Sequence, residues 1–126
     1  MELGLKGRGA LVTGGSQGIG RACAGLLAAE GVHVAIVARD EARLQAVAEA
    51  LSTNSAERVV PITGDMSKGA DVTRAVATAT DALGKIDILV NNAGSAPLGL
   101  IGDIDDDTWQ SCFDLKLMGY IRCVRA

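Results

Sequence analysis

The segment Thr13-Gly14-Gly15-Ser16-Gln17-Gly18-Ile19-Gly20 constrains what this chain can fold into more than any other. It follows a short apolar run, Gly9 to Val12, and opens a stretch whose apolar residues Ile19, Ala22, Cys23, Leu26 and Leu27 fall at helical spacing. Such a segment reads as a strand, a tight turn and a helix. Glycine at 14 lets the chain leave the strand sharply. Glycine at 18 lets backbone approach an anionic group with no Cβ in the way, and glycine at 20 lets the helix pack close to the strand. The first N–H groups of that helix and the positive end of its dipole then face the turn, so a phosphate is the ligand it suits. Glycines alone would be a weak signal. Their position between a strand and a helix is what makes the turn specific.

The rest of the chain repeats the alternation. Gly31 sits where a helix C-terminus favours glycine, and Val32 to Val37 reads as a second strand. Asp40 can cap a helix with Leu44, Val47, Ala48 and Leu51 on one face. Val59 to Ile62 is a third strand, and its Pro61 suits a sheet edge, where a missing N–H matters least. Ser67 can cap a third helix that turns Val72, Ala75, Val76 and Ala79 inward and closes at Gly84. Ile86 to Val90 is a fourth, continuously apolar strand, followed by a loop from Asn91 to about Gly102. A last helix begins near the acidic run Asp103 to Asp107, which places negative charge at its N-terminus, and carries a stripe of Trp109, Cys112, Phe113, Leu117, Tyr120 and Val124. The order βαβαβαβα predicts an α/β fold over residues 1–126: a doubly wound parallel sheet with right-handed crossovers and helices on both faces.

Composition narrows the function classes. The chain is 48% hydrophobic with almost no aromatic residues, which suits small helices packed tightly on a buried parallel sheet. The net charge of −3 and the lack of a basic cluster argue against nucleic acid as a partner. The apolar stretches are too short to cross a bilayer, and the N-terminus carries no secretion-signal core, so no membrane partner is expected. Cys23, Cys112 and Cys123 are scattered with no Cys-x-x-Cys spacing. They point to no metal site and fit a reducing, cytoplasmic location. His33, alone at the start of the second strand, reads as structural.

Three motifs then fall in one order: the glycines as Gly-x-x-x-Gly-x-Gly after a threonine, Asp65 after the third strand, and Asn91-Asn92-Ala93-Gly94 directly after the fourth. Together they resemble the classical short-chain dehydrogenase/reductase family, and the resemblance covers the whole chain as the N-terminal, cofactor-binding half of such a protein. It implies a Rossmann-type fold that holds a dinucleotide. Gly14, Ser16, Gln17, Gly18, Ile19 and Gly20 would form the phosphate cradle. Asp65 would contact the adenine amine, with Met66 beside it, and Asn92, Ala93 and Gly94 would line the adenosine side while stabilising the central sheet.

The end of the second strand bears on which dinucleotide. Members that prefer NAD place an acidic residue there for the ribose 2′-hydroxyl. Here Ala38 removes that carboxylate and Arg39 can pair with a 2′-phosphate through a charge-assisted bond. NADP(H) is the expected cofactor, with NAD(H) possible. The alternative is that Arg39 is a solvated arginine at a helix start. The glycine loop offers no second basic residue, because Gln17 stands where strong NADP binders of the family often carry Lys or Arg.

The resemblance also implies chemistry that these residues do not include. The family transfers its proton through a Tyr followed four residues later by Lys, with a Ser upstream. The single tyrosine here, Tyr120, has Val124 at that spacing and lies on an apolar stripe, so it reads as packing. In Phe113-Asp114-Leu115-Lys116-Leu117-Met118-Gly119 the family's relay asparagine position holds Lys116. Lys116 could bind a relay water as donor only, or could have left the relay and face a polar pocket; both readings stay open. The expectation is a fragment of a protein about twice this length, inactive by itself. Its fourth strand would be an exposed edge and its last helix would pack against another subunit in a homodimer or homotetramer. The function implied is an NADP(H)-dependent oxidoreductase that passes hydride between a nicotinamide and a ketone or secondary alcohol. A 3-oxoacyl thioester, a steroid, a sugar or another small carbonyl compound would serve, with Ser95 to Leu100 forming one apolar wall. The alternative is a non-catalytic dinucleotide-binding module or partner subunit.

Overall fold

All five residues of β1 (Gly9–Thr13) are buried, which places this strand between neighbours in the sheet and under helices on both faces. In the computed structural model, which describes residues 2–55 and 57–126, the chain runs β1, α1 (Gly18–Ala29), β2 (His33–Ala38), α2 (Glu41–Thr53), β3 (Val60–Thr63), α3 (Gly69–Leu83) and β4 (Ile88–Val90). A single 3-10 turn (Ile101–Asp103), α4 (Asp106–Cys112), a π-helical turn (Phe113–Met118) and α5 (Gly119–Arg125) follow. The four strands are parallel in the order β3-β2-β1-β4. The alternating α/β, Rossmann-type architecture expected from the sequence is therefore the one observed, with Pro61 on an edge strand and β4 paired on one side only.

The strands sort their side chains by parity, as a pleated strand must. Ala10, Val12, Val34 and Ile36 point to one face, where they meet Ala24 and Ala28 of α1 and Leu44, Val47 and Ala48 of α2. Leu11, Ala35, Val37 and Ile62 point to the other, against Val72, Ala75 and Ala79 of α3 and Cys123 of α5. Asp40 caps α2 as expected, its carboxylate accepting the Arg43 amide at 3.0 Å. Gly31 and Gly84 close their helices at positive φ, +78° and +82°.

Four local expectations are corrected. α1 does not bury Ile19 and Leu26, which are 75% and 71% exposed; it buries Gly20, Ala24 and Ala28. Small side chains let the helix axis come close to the sheet, and that proximity outweighs the larger area of Ile and Leu. Ser67 does not cap α3. Its amide and hydroxyl both donate to Asp65 Oδ1, at 3.0 and 2.7 Å, and the cap position passes to Lys68 without a side-chain bond. The fourth strand pairs over Ile88–Val90 only.

The last helix is also not continuous. It starts at Asp106, capped by Asp105, whose carboxylate accepts the Thr108 amide at 2.8 Å. It widens into the π turn and then tightens again at Gly119. A Cβ at Gly119 would lie 2.6 Å from the Met66 carbonyl oxygen, so glycine is what lets α5 cross the β3–α3 loop. Of the expected stripe, Phe113, Leu117 and Val124 are open to solvent and Trp109, Cys112 and Tyr120 are half-buried. No helix among the described residues is long and apolar enough to cross a membrane.

Candidate cofactor cleft

The strand order switches beside β1: the chain runs outward from β1 through β2 to β3, and α3 then carries it back to β4 on the other side of β1. In open parallel sheets this is where the loops part and a ligand crevice forms at the strands' C-terminal ends. A cleft of about 790 Å³ lies there. Gly14, Ser16, Gln17, Gly18 and Ile19 line it from the first loop, Arg39 from the end of β2, Asp65 and Met66 from the end of β3, and Asn92, Ala93 and Gly94 from the end of β4. Sequence-separated motifs thus meet around one space.

The glycine turn is held by groups on β1 and β4. Gly14 has φ +68°, and a Cβ on it would lie 2.9 Å from both the Ala93 Cα and the Asn92 Nδ2. Gly18 has φ +56°, and nothing stands within 4 Å of the place a Cβ would take. That leaves open ground beside the N-terminus of α1, where backbone N–H groups can face an anion. Gly20 does not line the cleft; a Cβ there would collide with the Gly14 carbonyl and the Asn92 side-chain amide. Its glycine lets α1 approach the turn itself, more than the strand. Ile19, freed from the core, stands exposed at the cleft's edge.

Thr13 is a site residue that sequence reasoning left without a role. Its hydroxyl accepts the amides of Asn92 and Ala93, both at 3.1 Å, and donates to the Val90 carbonyl at 3.3 Å. Asn92 Nδ2 donates to the Gly14 carbonyl at 3.1 Å. One buried hydroxyl and one amide therefore tie the loop after β4 to the turn after β1. A polar residue at the last position of an otherwise apolar strand was the available signal.

Charge gathers at the end of β2. Arg39 is exposed beside Ala38. Arg43 also lines the cleft from the first turn of α2, and its Nη1 donates to Gln17 Oε1 at 2.7 Å. Burial pulls the Asp65 carboxyl upward, but the Ser67 hydroxyl and amide, with Arg39 and Lys68 nearby, outweigh it and hold the pKa below the ordinary carboxylate value. Asp65 is thus an ionised acceptor at neutral pH, suited to an amine donor. Its own amide donates to Asp71 Oδ2 at 2.8 Å, which fixes the loop to α3. Met66 packs its side chain into the second core, so it presents backbone to the cleft.

Lys116 lies outside the cleft lining. Its aliphatic stem covers Gly94, where a Cβ would lie 2.9 Å from the Lys116 Cε. The π turn sets it there, at the rim of the loop after β4. Tyr120 is half-buried on α5, and His33 pairs with Glu57 at 3.3 Å at the end of β2 remote from the cleft. Among the described residues no three His, Cys, Asp or Glu side chains gather as a metal ion would require.

Comparison with known proteins agrees with this geometry. The family model described as short chain dehydrogenase matches residues 8–126. The short-chain reductase protein NovJ of Streptomyces niveus is 41% identical over 114 residues, covering 90% of this chain and 43% of that protein. The crystal structure of L-sorbose reductase from Gluconobacter frateurii, complexed with NADPH and L-sorbose, superposes with a TM-score of 0.94 at 36% identity, over 99% of this chain and 48% of that one. A short chain dehydrogenase from Burkholderia cenocepacia in complex with NADP gives a TM-score of 0.90 at 37% identity, over 96% and 49%. The chain spans about half the length of the relatives it matches. With the family model matching residues 8–126, this chain belongs to the short-chain dehydrogenase family.

Proposed function

We propose that the protein is an NADP(H)-dependent oxidoreductase acting on a small ketone or secondary alcohol, and that these residues form its cofactor site. The observation that carries the reading is the end of β2: Ala38 offers no carboxylate to repel a 2′-phosphate, and Arg39 stands exposed in the cleft. The neighbouring carboxylate, Asp40, is engaged in capping α2. Two solved relatives hold NADPH or NADP, which supports the same choice.

When bound, the nicotinamide supplies or takes the hydride. The residues of this chain bind and orient. Gly18 and the first N–H groups of α1 would hold the pyrophosphate, with Ser16, Gln17 and Ile19 lining the same cleft. Asp65 would accept from the adenine amine, with the Met66 backbone beside it, and Asn92, Ala93 and Gly94 would wall the adenosine side. Lys116, whose aliphatic stem lies against Gly94, would serve as donor to a relay water or stay outside the relay. The proton-transferring Tyr and Lys of the family have no counterpart in these 126 residues, where Tyr120 is followed at the required spacing by Val124.

The open apolar residues Phe113, Leu117 and Val124 support assembly of two or four copies through the last helix. Three free cysteines support a reducing, cytoplasmic setting. The test is titration of the intact protein with NADPH and NADH, followed by absorbance at 340 nm with a panel of ketones. NADPH binding and ketone-dependent oxidation are expected. Tight binding with no turnover on any ketone or alcohol favours a non-catalytic binding module instead.

A further inference from the structure

We propose that Arg43 is the second cation of the 2′-phosphate site and that Gln17 holds it there. The proposal rests on the NADP(H) reading above and goes beyond it, because the glycine loop itself carries no basic residue. The structure brings one to that loop from α2. Arg43 lies in the first turn of α2, with its amide fixed by the Asp40 carboxylate at 3.0 Å. Its side chain spans to the glycine turn, where Nη1 donates to Gln17 Oε1 at 2.7 Å. The guanidinium therefore stands at the tip of the one side chain that occupies the loop's usual basic position.

Arg43, Arg39 and Gln17 line the same cleft. Gln17 is neutral and occupies one of the five N–H donors of a guanidinium. Asp40 makes a long, exposed ion pair with Arg43, Oδ2 lying 3.9 Å from Nε while Oδ1 caps the helix, and no hydrogen bond holds the guanidinium to that carboxylate. Donors remain for a phosphate monoester entering beside Arg39. A dianion there would have the guanidinium groups of Arg39 and Arg43 in the same cleft, and arginine's planar fork suits a phosphate. Gln17 acts as a positioning residue, because it limits where a long, half-exposed side chain can go before the ligand arrives.

The cap of α2 uses the Arg43 backbone, so removing its side chain leaves the helix start intact. The experiment measures dissociation constants for 2′,5′-ADP and 5′-AMP at fixed ionic strength by calorimetry on the intact protein. These probes differ only in the 2′-phosphate. Arg43→Ala is expected to lower the preference for 2′,5′-ADP about tenfold with 5′-AMP unchanged, and Arg43→Lys to retain part of it. Gln17→Ala is expected to lower the preference less, and to add nothing in the Arg43→Ala background. A fall of less than threefold in Arg43→Ala overturns the Arg43 assignment. An equal Gln17→Ala effect in both backgrounds overturns the positioning role. If Arg39→Ala abolishes the preference while Arg43→Ala does not, the cofactor reading stands and this proposal fails. If the wild type shows no preference, both fail.

Discussion

Asn92 donates from its side-chain amide to the Gly14 carbonyl at 3.1 Å, across a sequence separation of 78 residues. The bond joins the loop that follows β4 to the turn that follows β1. Thr13 reinforces the joint by accepting two amides from the same loop. The cleft is consequently not a property of the glycine turn alone. Its two walls are tied together by partly buried hydrogen bonds around one buried hydroxyl, that of Thr13.

Thr13→Val keeps shape and removes the acceptor for the Asn92 and Ala93 amides. The expected loss of stability is about 1 kcal/mol, since two partly buried amides lose their acceptor. Urea unfolding of the intact protein measures it, and Thr13→Ser should recover most of the loss. A Thr13→Val variant as stable as wild type would show that the hydroxyl does not restrain the loop.

Gly20→Ala forces a methyl group into the Gly14 carbonyl and the Asn92 amide. Overpacking of this kind costs about 1–3 kcal/mol, and here the strain falls on the phosphate turn. Dinucleotide affinity should fall together with the melting temperature. Unchanged affinity by fluorescence titration would mean that the turn tolerates the displacement.

Arg39→Ala should weaken NADP(H) binding by about 1.5–3 kcal/mol, the value of a hydrogen bond to a charged group, and leave NAD(H) binding little changed. Parallel titrations with the two cofactors decide the matter. Equal losses for both would make Arg39 a general surface charge and remove the main support for NADP(H).

Asp87 should contribute to the acid limit of stability. The Gly9 amide, at 2.9 Å, and Lys85, at 3.0 Å, hold its carboxyl below the ordinary value against a smaller desolvation, and Arg8 adds attraction. A carboxyl depressed in the folded state stabilises above its unfolded pKa, near 4, and that contribution is lost as pH falls through the folded value. Asp87→Asn should therefore destabilise the protein at pH 7, and the difference from wild type should shrink below about pH 4. Denaturant midpoints across that range test it; a constant difference would exclude an ionic contribution.

Leu117→Glu places a charge on the apolar face of the last helix, where Leu117 is 54% exposed. If copies assemble through this face, light scattering should show a smaller particle than wild type with the cofactor affinity retained. An unchanged mass would assign the face to something other than a subunit contact.

Much of the architecture was legible because burial leaves a period in the sequence. The central strands are apolar throughout since both their faces are covered, and the glycine turn is specific since few other contexts place three glycines between a strand and a helix. The packing face of α1 was not legible. Hydropathy favours Ile19 and Leu26, whereas close approach to the sheet favours Gly20, Ala24 and Ala28, and pattern alone does not reveal how near two elements must come. The π turn at Phe113–Met118 was hidden too, because an apolar stripe at helical spacing does not distinguish a π turn from an α turn.

The glycine turn by itself determined that a strand, a tight turn and a helix would follow one another, because those requirements are local and act through backbone conformation. The tertiary structure decided what surrounds the turn. It placed Thr13 and Asn92 as the joint between two loops, laid Lys116 over Gly94, and brought Arg43 from α2 to the side chain of Gln17. These are contacts between residues distant in the chain, and their geometry exists only once helices of particular side-chain size have packed on the sheet.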